Sequence, residues 1–231
     1  MIGFDDTQIM GERYDFPTTS WTLVRAAKDV RALERLITLY WKPLYFFVRQ
    51  RGYSNENAKD LVQGFLTHFL EHHAFSKADP ARGRFRGYLL AALENYMKDA
   101  LKAQARTKRG GDETIFSLDF AQGETEYARE VERGEPPEAV LNRAWARGLW
   151  RHALKELQGR PEHLKAFQLY LADADYPEIC RETGLSPNAA RTAVHRLKGQ
   201  LRELLLGHIR ETVSNETDLK IEVEEFKSLL S

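Results

Sequence analysis

Apolar residues recur at helical spacing along almost the whole chain, and no stretch shows the alternation of a half-buried strand. Residues 29–52, DVRALERLITLYWKPLYFFVRQRG, open with Asp29 as an N-cap. They place Leu33, Leu36, Ile37, Tyr40, Leu44, Phe47 and Val48 on one face and stop at Gly52. Pro43 inside this pattern removes a backbone donor and predicts a kink. A second helix follows in SNENAKDLVQGFLTHFLEHH, capped by Ser54 or Asn55, with Ala58, Leu61, Val62, Phe65 and Phe69 as its stripe. FSKADPARGRFRG reads as a loop, and GYLLAALENYMKDALKAQARTKR as one long helix ending at Gly110-Gly111. Residues 110–136 have little periodicity and much acid, which predicts a flexible connector in which Phe116-Ser117-Leu118 docks locally at most. Pro136-Pro137 then announces a helix over about 137–157, with Val140, Leu141, Trp145, Leu149 and Leu154 inward, and another runs from Pro161 to Leu171.

The most strictly sorted segment is PEICRETGLSPNAARTAVHRL and its continuation to Leu205. A short helix reaches Thr183, Gly184 permits a sharp turn, Leu185 packs inward, Ser186 caps the next helix and Pro187 takes its first position. Cys180 fills the small-residue slot four positions before the glycine, where two helices pass closely. In the second helix Ala190, Ala193, Val194, Leu197, Leu201 and Leu204 form a core stripe, opposite Asn188, Arg191, His195, Lys198 and Arg202. This is a helix-turn-helix arrangement, whose second helix enters a major groove with its N-terminal residues at base edges. Asn188, Arg191, Thr192 and His195 are placed to read bases; Arg196, Lys198 and Arg202 lie further along, where phosphates are met.

Composition then narrows the class. The formal net charge is zero, yet charge is segregated. Eight basic residues against two acids lie between Arg82 and Arg109, and nine acids against two bases between Asp112 and Glu138, so basic modules flank an acidic connector. No apolar run approaches the ~18–20 residues of a membrane span, and MIGFDDTQIMGERYDF has no signal-peptide pattern. The single cysteine excludes an internal disulfide and fits a reducing cytoplasm. His68 and His72 stand four apart, but Phe69 occupies the place of the glutamate in the zinc-protease pattern and no third ligand is evident, so no metal is expected. No phosphate-cradling glycine loop and no scaffolded pair of carboxylates is present; neither catalysis nor a cofactor is expected.

Taken together, these segments resemble bacterial RNA polymerase sigma factors of the extracytoplasmic-function type over about residues 18–207. The most specific piece is FRGYLLAALENYMKDALKAQAR, which supplies Phe85, Arg86, Tyr88-Leu89, Asn95, Asp99 and the basic run from Lys102 to Arg106. The FPTTSW opening at 16–21 is similar to a subgroup with extended ends, found in bacteria rich in Ser/Thr kinases. The resemblance implies an all-α fold of two helical domains. The expected plan is an N-terminal extension (1–17), a sigma 2-like domain (18–109), a linker (110–136), a sigma 4-like helix-turn-helix domain (137–207) and an acidic extension (208–231). It implies core RNA polymerase and promoter DNA as partners, −35 recognition by the second helix of the turn, and −10 melting by the sigma 2-like domain. Melting needs cations for phosphates and rings for unstacked bases. Arg82, Arg84, Phe85, Arg86 and Tyr88, followed by Asn95, Lys98 and Lys102, offer both.

The polymerase-docking helix departs from the family pattern. Where the family has an acidic Asp-Ala-Glu-Asp start, this chain has Asn57-Ala58-Lys59-Asp60, followed by Gln63. Docking by complementary charge is weakened; neutral contacts suffice, or phosphorylation at Ser54 or Thr67 by a Ser/Thr kinase restores negative charge. An inhibitory partner is a further expected regulator. The tail after Gly207, with Leu219, Val223, Phe226 and Leu230 on one side, either extends the C-terminal domain's core or covers the basic recognition face. The alternatives are a helix-turn-helix regulator that never joins polymerase and a signalling adaptor; neither has a use for a strand-capturing segment at 85–106.

Overall fold

The structure, a computed structural model, describes residues 30–72, 85–104, 118–131, 134–210, 212–213 and 215–230. Among them are nine helices and no strand: α1 (Val30–Gln50), α2 (Asn55–Glu71), α3 (Phe85–Gln104), α4 (Phe120–Glu130), α5 (Pro137–Glu156), α6 (Pro161–Leu171), α7 (Tyr176–Thr183), α8 (Pro187–Arg210) and α9 (Glu216–Leu230). The expected all-α class is what the described residues adopt. Two compact units divide it, one comprising Trp150–His208 and the other combining the described part of Ser20–Leu149 with Ile209–Leu230. The division falls inside α5 and near the end of α8. Asp29 lies outside the described residues.

In the larger unit α1 packs on α2, and α2 on α3. Helix α1 ends at Gln50, and Gly52, at φ 90°, adopts the left-handed backbone that a helix stop favours. Ser54 caps α2, its hydroxyl accepting the Asn57 amide. The core between these helices is aromatic: Tyr40 meets Phe85 edge-on at 5.4 Å, and Phe65 lies between Phe69 and Tyr96 at 5.3 and 5.8 Å. Helix α1 continues through Pro43, which is buried. The carbonyl deprived of its helical donor by the proline, that of Leu39, faces Gly148 of α5, where a Cβ would stand 3.9 Å away.

The expected connector at 110–136 contains helix α4. Asp119 caps it, accepting the Gln122 amide, and its inner stripe is Phe120, Gly123, Glu124 and Tyr127. This stripe covers the second face of α1, where Trp41, Tyr45 and Phe46 are buried beyond the single face expected for that helix. Phe120 meets Trp41 and Tyr45 edge-on at 5.2 and 5.4 Å, and Tyr127 meets Phe46 at 5.6 Å. Gly123 allows the close approach: a Cβ there would stand 3.1 Å from Trp41. Two of the acids that suggested a solvated linker are engaged with α1. Glu124 accepts from Arg49 at 2.6 and 2.9 Å and from the Tyr45 hydroxyl, and Glu126 pairs with Lys42 at 2.6 Å. The hydrogen bond from Arg49 holds the Glu124 carboxyl below the usual range, whereas burial and the Glu124 carboxylate push the Tyr45 hydroxyl far up. Residues 116 and 117 lie outside the described set.

The smaller unit is built on a cluster of fully buried Ala166, Ile179 and Ala190, with Leu169, Tyr170, Leu185 and Cys180 packed against it. The core stripe of α8 is as expected at Ala190, Ala193, Val194, Leu197 and Leu201; Leu205 takes the last inward place, with Leu204 half-buried. None of the described helices is long and apolar enough to cross a membrane.

Candidate nucleic-acid interface

In the smaller unit the turn between α7 and α8 has the expected chemistry. Asp175 caps α7 by accepting the Glu178 amide at 2.8 Å. Gly184 takes a left-handed conformation, φ 71°, and its N–H donates to the Cys180 carbonyl at 2.9 Å, ending the helix within one residue. The Ser186 hydroxyl then accepts the Ala189 amide at 3.3 Å and starts α8. Because Ile179 and Ala190 are sealed against Ala166, the opposite side of α8 is fixed outward.

That side carries the residues singled out from sequence. Asn188, Arg191, Thr192, His195, Arg196 and Lys198 are exposed, and Arg202 is half-buried. Two of the cations rest on rings: the Arg191 guanidinium lies 5.5 Å from the Tyr176 ring, and the Lys198 ammonium 5.7 Å from Tyr170. Arg196 reaches His163 at 3.0 Å. The tyrosine props are absent from any one-helix pattern, because α6 and α7 supply them. They restrict two long, rotamer-rich side chains before any ligand arrives, which lowers the ordering cost of contact.

In the larger unit the residues expected to open DNA fall into three groups. Asn95 and Lys98 are exposed on α3, one turn apart. Arg82 and Arg84 lie outside the described residues, and Lys102 is within α3 with its side chain undescribed. Phe85 and Arg86 are not on the surface. Phe85 is fully buried against Tyr40, and its N–H donates to the Thr212 carbonyl at 3.4 Å. Arg86, 6% exposed, donates to Glu222 and Glu225 of α9 at 2.8 Å each, with its guanidinium 4.2 Å from the Trp145 ring. The carboxylates that hold Arg86 come from a helix more than 100 residues downstream, a contact invisible in local pattern. Tyr88 is half-buried, 5.9 Å from Phe69 and 6.4 Å from Phe85, and burial pushes its hydroxyl up.

Helix α9 is therefore no extension of the smaller unit's core. Its apolar positions Leu219 and Phe226 are buried within the larger unit, Phe226 edge-on to Trp145 at 6.0 Å, and Glu222 is 1% exposed. On α2, Asn57, Lys59 and Asp60 are exposed and Gln63 half-buried. The Lys59 ammonium lies 6.0 Å from the Phe120 ring at the start of α4. Ser54 is exposed at its cap position and Thr67 is half-buried.

The helices α1, α2 and α3 and their connecting segments lie within residues 36–107 apart from the first turns of α1, and residues 36–107 match the family model of Sigma-70 region 2. The match supports a sigma-70 family member. No curated protein and no solved structure matches the chain.

Proposed function

We propose that this chain is a sigma factor of the extracytoplasmic-function type, in the subgroup with extended ends, acting in the cytoplasm. Within it, α8 reads the −35 element and the region 2 helices bind core polymerase and open the −10 element. The observation that carries this reading is the coexistence, in one chain, of the region 2 match on α1–α3 and a helix-turn-helix whose second helix exposes Asn188, Arg191, Thr192, His195, Arg196 and Lys198. A regulator that never joins polymerase has a use for the second feature and none for the first.

On this reading Asn188, Arg191, Thr192 and His195 meet base edges, while Arg196, Lys198 and Arg202 meet phosphates. At the −10 element Asn95 and Lys98 stand on the outer face of α3, with Arg82, Arg84 and Lys102 as further cations and Tyr88 as the ring beside the path of the strand. The exposed Asn57, Lys59 and Asp60, with Gln63, face the polymerase, and a kinase or an inhibitory partner acting near Ser54 or Thr67 alters that face. Phosphate at Ser54 would lie at the N-terminus of α2, where negative charge is favourable.

Core polymerase mixed with the full chain on a library of promoter sequences tests the proposal. Abortive RNA from an enriched −35/−10 pair, weakened by Arg191→Ala and by Lys98→Ala, is the expected result. DNA binding with no polymerase binding and no RNA would establish the simple-regulator alternative instead.

A further inference from the structure

Among the described residues one cluster of potential metal ligands stands apart from the proposed nucleic-acid face. His152 and Glu156, four apart on α5, share a side of that helix, and His208 comes to them from the last turns of α8. All three belong to the smaller unit. Their ligand atoms lie within 4.8 Å of one another. The His208 Nε2 is 2.6 Å from Glu156 Oε2, the His152 Nε2 is 3.3 Å from Glu156 Oε1, and the two imidazole centroids are 5.1 Å apart.

We propose that His152, Glu156 and His208 form a binding site for a divalent transition metal, with zinc as the best-suited ion. Both Nε2 atoms converge on the two oxygens of a single carboxylate, so one point lies within reach of three donors of the right type. Two imidazoles and one carboxylate are a donor set that zinc accepts, leaving a fourth position for water. With metal–ligand bonds of about 2.0–2.2 Å, donors at tetrahedral angles stand about 3.3–3.5 Å apart, so the groups here need only small side-chain adjustments. His208 is 6% exposed, whereas His152 and Glu156 are more accessible, so the site is anchored from inside and open from one side. Coordination would tie the end of α5 to the end of α8, the helix bearing the proposed recognition face. It would stabilise this unit in proportion to metal concentration.

The test uses the full chain, stripped with a chelator and then titrated with Zn²⁺ alone by calorimetry, and with Co²⁺ alone by visible absorption. One equivalent per chain, Co²⁺ bands of tetrahedral intensity and a Zn²⁺-dependent rise in Tm are expected. Glu156→Gln and His152→Gln should each weaken Zn²⁺ binding by at least about tenfold while leaving the metal-free circular dichroism spectrum intact. His208→Gln should do the same, and the first two variants keep the test decisive if this buried change unfolds the chain. The double variant His68→Gln/His72→Gln on α2 should bind Zn²⁺ as the parent does. Absence of stoichiometric binding, or binding lost in the His68/His72 variant and kept in Glu156→Gln, would overturn the proposal and leave the cluster as a histidine–carboxylate ion pair. Neither result bears on promoter recognition, which is read by a different assay.

Discussion

The burial of Arg86 can be tested quantitatively through Glu222→Gln. This change keeps the shape of the side chain and removes its charge, leaving a guanidinium that is 6% exposed with one carboxylate fewer. Breaking a buried ion pair from one side costs roughly 3–5 kcal/mol, because the remaining charge is stranded. Here Glu225 still accepts from the other terminal nitrogen at 2.8 Å and the Trp145 ring remains at 4.2 Å, so the lower end applies, about 3 kcal/mol. That is a change of about 150-fold in the opening equilibrium. Glu225, 28% exposed, is a weaker partner, and Glu225→Gln should cost no more than about 1 kcal/mol. Arg86→Met combined with Glu222→Leu should recover most of the loss, since an apolar pair of similar volume avoids the desolvation of both charges. Because the chain has two compact units, hydrogen exchange of amides in α3 and α9 is the appropriate readout, with urea unfolding followed in parallel. Should Glu222→Gln open α9 no more readily than Glu225→Gln does, the buried pair is not what holds that helix, and the reasoning fails.

Other outcomes follow from the same geometry. The lowered Glu124 carboxyl contributes stability that is full above the unfolded value of about 4.3 and is lost as pH falls through its folded value. Limited proteolysis should thus find α4 released in acid, and Glu124→Gln should flatten that dependence. Gly123→Val forces a side chain into the space where a Cβ would already stand 3.1 Å from Trp41, and should cost about 1–3 kcal/mol in urea unfolding. In quantitative promoter binding, Arg191→Ala should relax discrimination at one base pair by about 1–3 kcal/mol. Lys198→Ala should instead weaken all sequences alike and lower the salt slope by about one.

The helix-turn-helix was legible because its determinants are local. The Asp175 and Ser186 caps, the φ 71° of Gly184 and the 3.6-residue stripe from Ala190 to Leu201 each follow from neighbours a few residues away. Helix α4 was missed because its acids were counted as solvated charge. Its own signal was present in Phe120, Glu124 and Tyr127 at helical spacing behind Asp119. The complementary sign was the surplus of rings on α1: Trp41, Tyr45 and Phe46 are more than one buried face explains, and something had to cover them. Phe85 and Arg86 were given a −10 role by family resemblance, while the partners they have in the structure, Thr212, Glu222 and Glu225, come from the far end of the described chain. His208 likewise has no mark in sequence that ties it to His152 and Glu156. Pairings of that separation are set by tertiary packing, which one-dimensional periodicity does not encode.

The order in which the chain is made gives the position of α9 a further meaning. Among the described residues the larger unit starts at α1, yet its helix α9 emerges only after all of Trp150–His208 has been translated, so the larger unit is still missing a wall while that stretch is made. Until then Trp145 and the Arg86 guanidinium have no lid from Phe226, Glu222 and Glu225. A polypeptide lacking α9 would display a cation and an indole that the complete larger unit conceals.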